Sequence, residues 1–279
     1  QQDRFDWANG LDVPTVESVP DFEYLYWVGC AASYDRRVQR VARSVVWLLT
    51  QANVRFAVLG PEERCTGESA RRMGDEFVFQ ELAEKNIEIL REHAVRKIVT
   101  HCPHCLNSLQ NDYSQFGGNY EVVHHSVLLA SLIESGRLPQ PSRTVAETIT
   151  YHDPCYLART GGVTEPPREL IQIATGPEDH RGEIAEMPRH ARETSCCGAG
   201  GGRMWFDDSA DERIGRSRVA EAVDTGADTL AVSCPFCLIM LKDGIADAAS
   251  ELEIRDVAEI LSASLGYEQP DRASGARTE

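Results

Sequence analysis

Nine cysteines are the residues of this sequence best suited to chemistry, and their spacing repeats. The first half reads Cys30, then Cys65-Thr66-Gly67, then Cys102-Pro103-His104-Cys105. The second reads Cys155, then Cys196-Cys197-Gly198, then Cys234-Pro235-Phe236-Cys237. From the middle motif to the Cys-Pro motif is 37 residues in one copy (102 − 65) and 38 in the other (234 − 196), and every cysteine falls inside a copy. A Cys-x-x-Cys pair on a strand-to-helix turn brings two sulfurs to one metal centre, and the proline within it restricts that turn. Such a pair alone suits zinc, an iron–sulfur cluster or a redox dithiol.

The rest of each copy narrows the choice. Cys102-Pro-His-Cys105 has the form of a thiol oxidoreductase dipeptide, but the second copy replaces the histidine with Phe236 and both copies bring further cysteines at matched places. Four thiolates satisfy one tetrahedral zinc, so the first half alone also fits a structural zinc site. The second half has five, a surplus for zinc but useful where several irons need sulfur. An odd number of cysteines with no secretory signal argues against a closed disulfide framework.

The elements that must hold these residues repeat too. Residues 24–28 and 148–151 are apolar or β-branched stretches ending just before Cys30 and Cys155, as buried strands do. A helical pattern follows each middle motif, with Phe77, Leu82, Ile87 and Leu90 in one copy and Val219, Ala222 and Val223 in the other. Short strands at 97–100 and 229–233 then deliver the Cys-Pro motifs at their carboxyl ends, where open α/β sheets carry their sites. The expected fold is α/β: two halves related by a pseudo-twofold axis, each a small, mainly parallel sheet flanked by helices, with both sites facing a shared cleft. Residues 135–146 read as the linker, which gives domains 1–145 and 146–279, and 269–279 reads as a frayed tail.

With 279 residues, 42% of them hydrophobic, the chain can build real cores, and no apolar run approaches the roughly 20 residues that span a bilayer. A net charge of −16 argues against a nucleic-acid surface and suits either a basic protein partner or plain solubility. The opening Gln1 and its polar neighbours lack a signal peptide's features and suggest a longer parent protein.

The phrases WVGCAASYD, CTGESARRMGDEF, HCPHCLNSLQNDY, YHDPCYLAR, CCGAGGGRMW and SCPFCLIML resemble the CCG-domain iron–sulfur proteins over nearly the whole chain. That family includes the catalytic subunits of heterodisulfide reductases and the iron–sulfur subunits of glycolate and lactate oxidoreductases. The wording is most similar to the membrane-associated branch, related to the D-type polypeptide of heterodisulfide reductase. The resemblance implies an iron–sulfur module on the cytoplasmic face of a membrane, passing electrons from electron-transfer flavoprotein or another flavoprotein toward menaquinone. Its alternatives are disulfide reduction, as in the heterodisulfide reductases, or service as the iron–sulfur part of a glycolate or lactate oxidoreductase. It also implies that Cys155, Cys196, Cys197, Cys234 and Cys237 hold a noncubane 4Fe–4S cluster. The first half departs from the family pattern at Thr66, leaving Cys30, Cys65, Cys102 and Cys105, a set suited to a cubane 4Fe–4S cluster. The ferredoxin-like segment and the membrane haem or quinone-reducing part usual in that branch are not in this sequence, which reads as one part of a larger assembly.

Weaker signals flank the cysteines. Gly198, Gly200 and their neighbours lack the spacing of a dinucleotide loop and read instead as glycines permitting close backbone approach to a cluster. Arg203 and Trp205 offer a positive charge and an apolar wall, or plain packing. His152, His101 and His104 could tune a potential or relay a proton, or simply close strand ends. His124-His125 reads as capping the next helix, with metal ligation the alternative, and the acidic residues around 207–211 read as a solvated face. Thr66 is expected to spend its hydroxyl on a local backbone hydrogen bond.

Overall fold

A computed structural model describes residues 3–141, 143–176, 184–206, 209 and 212–268. The tail at 269–279 and all of the acidic run 207–211 except Ser209 lie outside the described residues. The first half contains β1 (Tyr24–Trp27), α1 (Gly29–Tyr34), α2 (Arg36–Gln51), β2 (Phe56–Ala57), α3 (Glu68–Arg72) and α4 (Glu76–Glu92). It continues through β3 (Lys97–Thr100), α5 (Pro103–Asn107), β4 (Glu121–His124) and α6 (His125–Glu134). The second contains β5 (Ile149–Tyr151), α7 (Glu165–Thr175), α8 (Gly215–Asp224), β6 (Thr229–Val232), α9 (Pro235–Asp247), β7 (Glu253–Asp256) and α10 (Val257–Ser264).

Both sheets are wholly parallel, in the orders β2-β1-β3-β4 and β5-β6-β7. Parallel strands need crossover helices, and those helices cover the sheet faces, so the strands are short and β1, β3, β5 and β6 are almost entirely buried. In each half the first cysteine follows the first strand, and the Cys-Pro motif turns a neighbouring strand into a helix. Cys102 is the N-cap of α5 and Cys234 that of α9, with each proline in the first turn, where its missing N–H costs nothing.

The halves share a core. Helix α2 starts at Asp35, whose carboxylate accepts from the Arg37 and Val38 amides, and buries Val38, Val41, Ala42, Val45, Leu48 and Leu49 at helical spacing. That face packs with α10, which packs on α7, and α7 on α6, so one apolar cluster runs from Trp7 to Leu261. Arg37 fastens the seam by donating to Glu259 at 2.8 Å, and Glu259 completes the capping box of α10 with Asp256. A second cluster, on the far side of the first sheet, joins Leu25, Trp27, Phe79, Leu109 and Tyr113 to Cys102 and Cys105.

The helical faces differ from expectation in one place. Phe77 is 89% exposed, and Phe79, Ala83, Ile87 and Leu90 form the buried stripe of α4, with Leu82 at its margin. Two residues along a helix rotate a side chain by about 200°, so only one of Phe77 and Phe79 can face the core, and the N-cap at Asp75 sets which. Val219 and Ala222 are buried as expected, whereas Val223 is 42% exposed.

Candidate metal centres

The first set is assembled around Glu63, which is 2% exposed. Its two oxygens accept the Val28 and Gly29 amides at 2.8 Å each, tying the loop before Cys65 to the loop that carries Cys30. Burial raises its pKa, and Arg4, 3.6 Å away, works against that rise. Gly67 adopts φ +80° as the N-cap of α3 and donates its amide to Cys65 Sγ at 3.4 Å. A Cβ there would lie 3.0 Å from Phe79. The Cys105 amide donates to Cys102 Sγ at 3.5 Å. A hydrogen bond to Cys65 and burial push the Cys30 thiol up, while the same hydrogen bond lowers Cys65. Thr66 does not bond backbone with its hydroxyl, contrary to expectation. The hydroxyl points to Cys105 Sγ at 3.8 Å, because Tyr113 already serves the local backbone by donating to Thr66 O at 3.1 Å.

The second set has the same skeleton with different fastenings. Asp153, fully buried, receives Arg168 through both terminal nitrogens at 2.7 and 2.9 Å and the Ala191 amide at 2.7 Å. Arg168 also donates to Glu186 at 2.6 Å. Thr194, in the place of Glu63, donates its hydroxyl to Asp153 O at 2.9 Å and so again ties the middle loop to the first-cysteine loop. Gly198 repeats Gly67, with φ +94° and its amide 3.3 Å from Cys196 Sγ. Cys237 Sγ and Cys197 Sγ lie 3.2 Å apart. Hydrogen bonds from Cys155 and Cys197 lower the Cys196 thiol, while burial works against them, so a thiolate is already favoured among the five.

The two sets meet through the middle residues of the Cys-Pro motifs. His104 and Phe236, equivalent in the two copies, face each other with ring centroids 4.9 Å apart, the contact a local twofold produces. His104 also stacks on Tyr156 at 4.2 Å and lies 3.1 Å from Glu68, a charge contact and not a well-aligned hydrogen bond. Burial alone would lower its pKa, yet Cys234 and Glu68 raise it to about 10, which favours the protonated ring beside the Cys234 thiol. Burial raises Cys234 and is outweighed by Cys237 and His104, which leave its thiol lowered.

The remaining candidates scatter. His152 is buried beside Cys197 and Cys237, with a ring nitrogen within 4.8 Å of both sulfurs. A Cβ at Gly200 would meet open space, while the Gly198 amide lies against Cys196 Sγ. Arg203 is half-buried in a short turn, and Trp205 is 61% exposed. His124 caps α6 through the Ser126 amide, while His125 reaches across the seam to Asp256 at 2.9 Å. His101 accepts or donates with the Tyr26 hydroxyl at 2.8 Å. Glu63, Glu68, Asp153, Arg168 and Arg218 do not stand out in the sequence. The signal that could have found Glu63 is its place two residues before a middle-motif cysteine, matched by Thr194.

The donor set fits iron–sulfur chemistry. All nine cysteines are free thiols, the Cys-Pro pairs and Cys197 are buried, and amides point at sulfur in both loops. The buried ring N–H groups of Trp27 and His152, without partners among the described residues, are further donors of the kind cluster sulfurs accept. The family model of the CCG cysteine-rich domain matches residues 24–110 and 149–242, one match per half. The chain is 41% identical over 274 residues to the probable iron–sulfur-binding oxidoreductase FadF of Bacillus subtilis, covering 95% of this chain and 38% of that protein. It is 40% identical over 254 residues to the EtfAB:quinone oxidoreductase of Syntrophomonas wolfei, covering 88% and 35%. It is 33% identical over 272 residues to the D-type polypeptide of the dihydromethanophenazine:CoB–CoM heterodisulfide reductase of Methanosarcina barkeri, covering 95% and 64%. The chain thus spans less than two thirds of the length of each of these relatives.

Proposed function

The chain belongs to the CCG cysteine-rich domain family of iron–sulfur proteins, and we propose that it is the electron-carrying part of a larger membrane-associated oxidoreductase, taking electrons from electron-transfer flavoprotein and passing them toward menaquinone. The observation that carries this reading is the placement of two sulfur sets on either side of the His104–Phe236 contact, with Cys30, Cys65, Cys155 and Cys196 less buried than the other five cysteines. In this reading an electron entering at one set passes to the other across the His104–Phe236 contact. Similarity to a relative named for EtfAB and quinone supports the choice of donor and acceptor.

In this reading Cys30, Cys65, Cys102 and Cys105 hold a cubane cluster, and Cys155, Cys196, Cys197, Cys234 and Cys237 a noncubane one. The clusters supply one-electron carriers. The protein's residues do the rest: Glu63 and Asp153 fix the loops, the Gly67 and Gly198 amides donate to sulfur, and His104 places a positive charge between the sets. We place the join between the halves near residue 145. No helix among the described residues is long and apolar enough to cross a membrane. In this reading the attachment to the cytoplasmic face, a ferredoxin-like segment and the quinone-reducing part belong to the larger assembly. Trp205 and Phe206, 61% and 63% exposed beside the second set, offer apolar surface for the flavoprotein.

The test is anaerobic purification, metal and sulfide analysis, and mixing with reduced electron-transfer flavoprotein. Bleaching of broad iron–sulfur absorption at a rate dependent on flavoprotein concentration is expected; stoichiometric zinc without iron or sulfide contradicts the proposal. Disulfide reduction is the competing reading, favoured by the heterodisulfide reductase relative. It predicts that a thiol heterodisulfide, and not a quinone analogue, reoxidises the reduced protein.

A further inference from the structure

His152 is buried at the end of β5, and its hydrogen bonds determine where its proton sits. Arg218 Nε lies 2.9 Å from His152 Nδ1. A guanidinium only donates, so Nδ1 must present its lone pair and the ring proton must be on Nε2. Arg218 cannot turn away, because it is fully buried and its NH1 also donates to Arg189 O and to Glu221, both at 2.7 Å. Nε2 is buried and has no hydrogen-bond partner among the described residues. The same ring has a nitrogen within 4.8 Å of Cys197 Sγ and Cys237 Sγ.

Building on the reading of the second cysteine set as an iron–sulfur centre, we propose that His152 is a hydrogen-bond donor to sulfur of that centre and not one of its ligands, with Arg218 as the positioning residue that locks the donating tautomer. Ligation through Nε2 would move the proton to Nδ1 and set it against the Arg218 N–H, donor against donor. Donation suffers no such conflict and gives a buried N–H the acceptor it otherwise lacks. The first half carries an analogous group at the matching place. Trp27 stands three residues before Cys30, as His152 stands three before Cys155, and its buried Nε1–H is likewise without a protein partner. An indole nitrogen can only donate, so the duplicated position supplies a donor in both copies.

Sulfur gains negative charge when a centre is reduced, and an N–H directed at it stabilises the reduced form, so His152 raises the potential of the second centre. In anaerobic protein, His152→Phe is expected to shift that midpoint to more negative values, changing the reduced-to-oxidised ratio by about tenfold, or ~59 mV for one electron. His152→Gln, which keeps an amide donor, is expected to recover part of the shift. An unchanged midpoint in His152→Phe overturns the proposal. Pulsed paramagnetic resonance on unmutated protein labelled with 15N-histidine gives a test that does not depend on the variants folding. A weak 15N coupling and an exchangeable proton at the second centre are expected. A strong coupling diagnostic of ligation, or a clear cluster signal with no histidine coupling, overturns the donor role alone. Absence of any cluster signal overturns the proposed function and this inference together.

Discussion

The two halves share strands, loops and motif glycines, yet they are fastened by different chemistry. The first seats its strand ends with uncharged imidazoles and holds Glu63 chiefly by backbone amides. The second is tied by a buried charge network running from Glu186 through Arg168 to Asp153, with Arg218 against His152. A duplicated scaffold can therefore keep the same sulfur positions while changing nearly every supporting side chain. In the proposed reading the position after the middle cysteine sets the ligand count: Cys197 adds a sulfur where Thr66 adds only a donor.

The comparison breaks most visibly if a ligand is removed from one side. Cys237→Ala is expected to eliminate the second centre's iron and sulfide and lower the melting temperature strongly, because ligation free energy is part of folding free energy. Cys105→Ala should do the same to the first centre alone. Loss of metal with an unchanged melting temperature would show that the fold stands without it. A step smaller, Arg168→Leu leaves the Asp153 carboxylate buried without its cation and should cost about 3–5 kcal/mol in denaturant unfolding. Arg4→Leu should cost less, since Val28 and Gly29 still answer Glu63. Equal losses from the two variants would remove the distinction between the halves.

Acid should sharpen it further. Burial holds His101, His125 and His152 at about 3 and His124 well below its ordinary value, so unfolding takes up four protons once the pH is below about 6.5. Asp256 opposes them: burial raises it to about 7, so the folded state carries a proton that the unfolded state releases above its ordinary value of 3.8. Four protons gained against at most two released, from Asp256 and Glu63, which burial also raises, leaves at least two net protons bound on unfolding between about pH 4.5 and 6.5. Stability is therefore expected to fall by at least about 2.7 kcal/mol per pH unit as pH drops through that window. Urea midpoints that hold constant or rise from pH 6.5 to 5.5 would contradict this balance.

Much of this was legible in the sequence because a doubled motif fixes its own frame. The strands ending at Cys30 and Cys155, the Cys-Pro N-caps and the left-handed Gly67 and Gly198 all follow from local pattern. The supports were not legible, because Asp153, Arg168, Glu63 and Arg218 look like any solvated charge until the fold brings partners from 15 to 66 positions away. Phe77 misled for a related reason: a hydrophobic residue near a helix start lies on either face until the cap sets the phase. The hydroxyl of Thr66 reads as belonging to its own turn, since nothing local shows that Tyr113, 47 residues on, has already taken that carbonyl.

The finest test of the two halves concerns that hydroxyl. Thr66→Val removes a donor to Cys105 Sγ while keeping shape, so a loss of about 1 kcal/mol and a changed first-centre spectrum are expected, with the second centre's spectrum untouched. A change confined to the second centre would show that Thr66 acts elsewhere.

Whether Thr66 and Cys197 truly divide the two sites is settled most directly by anomalous diffraction at the iron edge on anaerobic crystals. The account predicts a cubane capped by Cys30, Cys65, Cys102 and Cys105 in the first half and a noncubane cluster held by all five cysteines in the second. Identical clusters in both halves, or a Thr66 oxygen bound to iron, would contradict it.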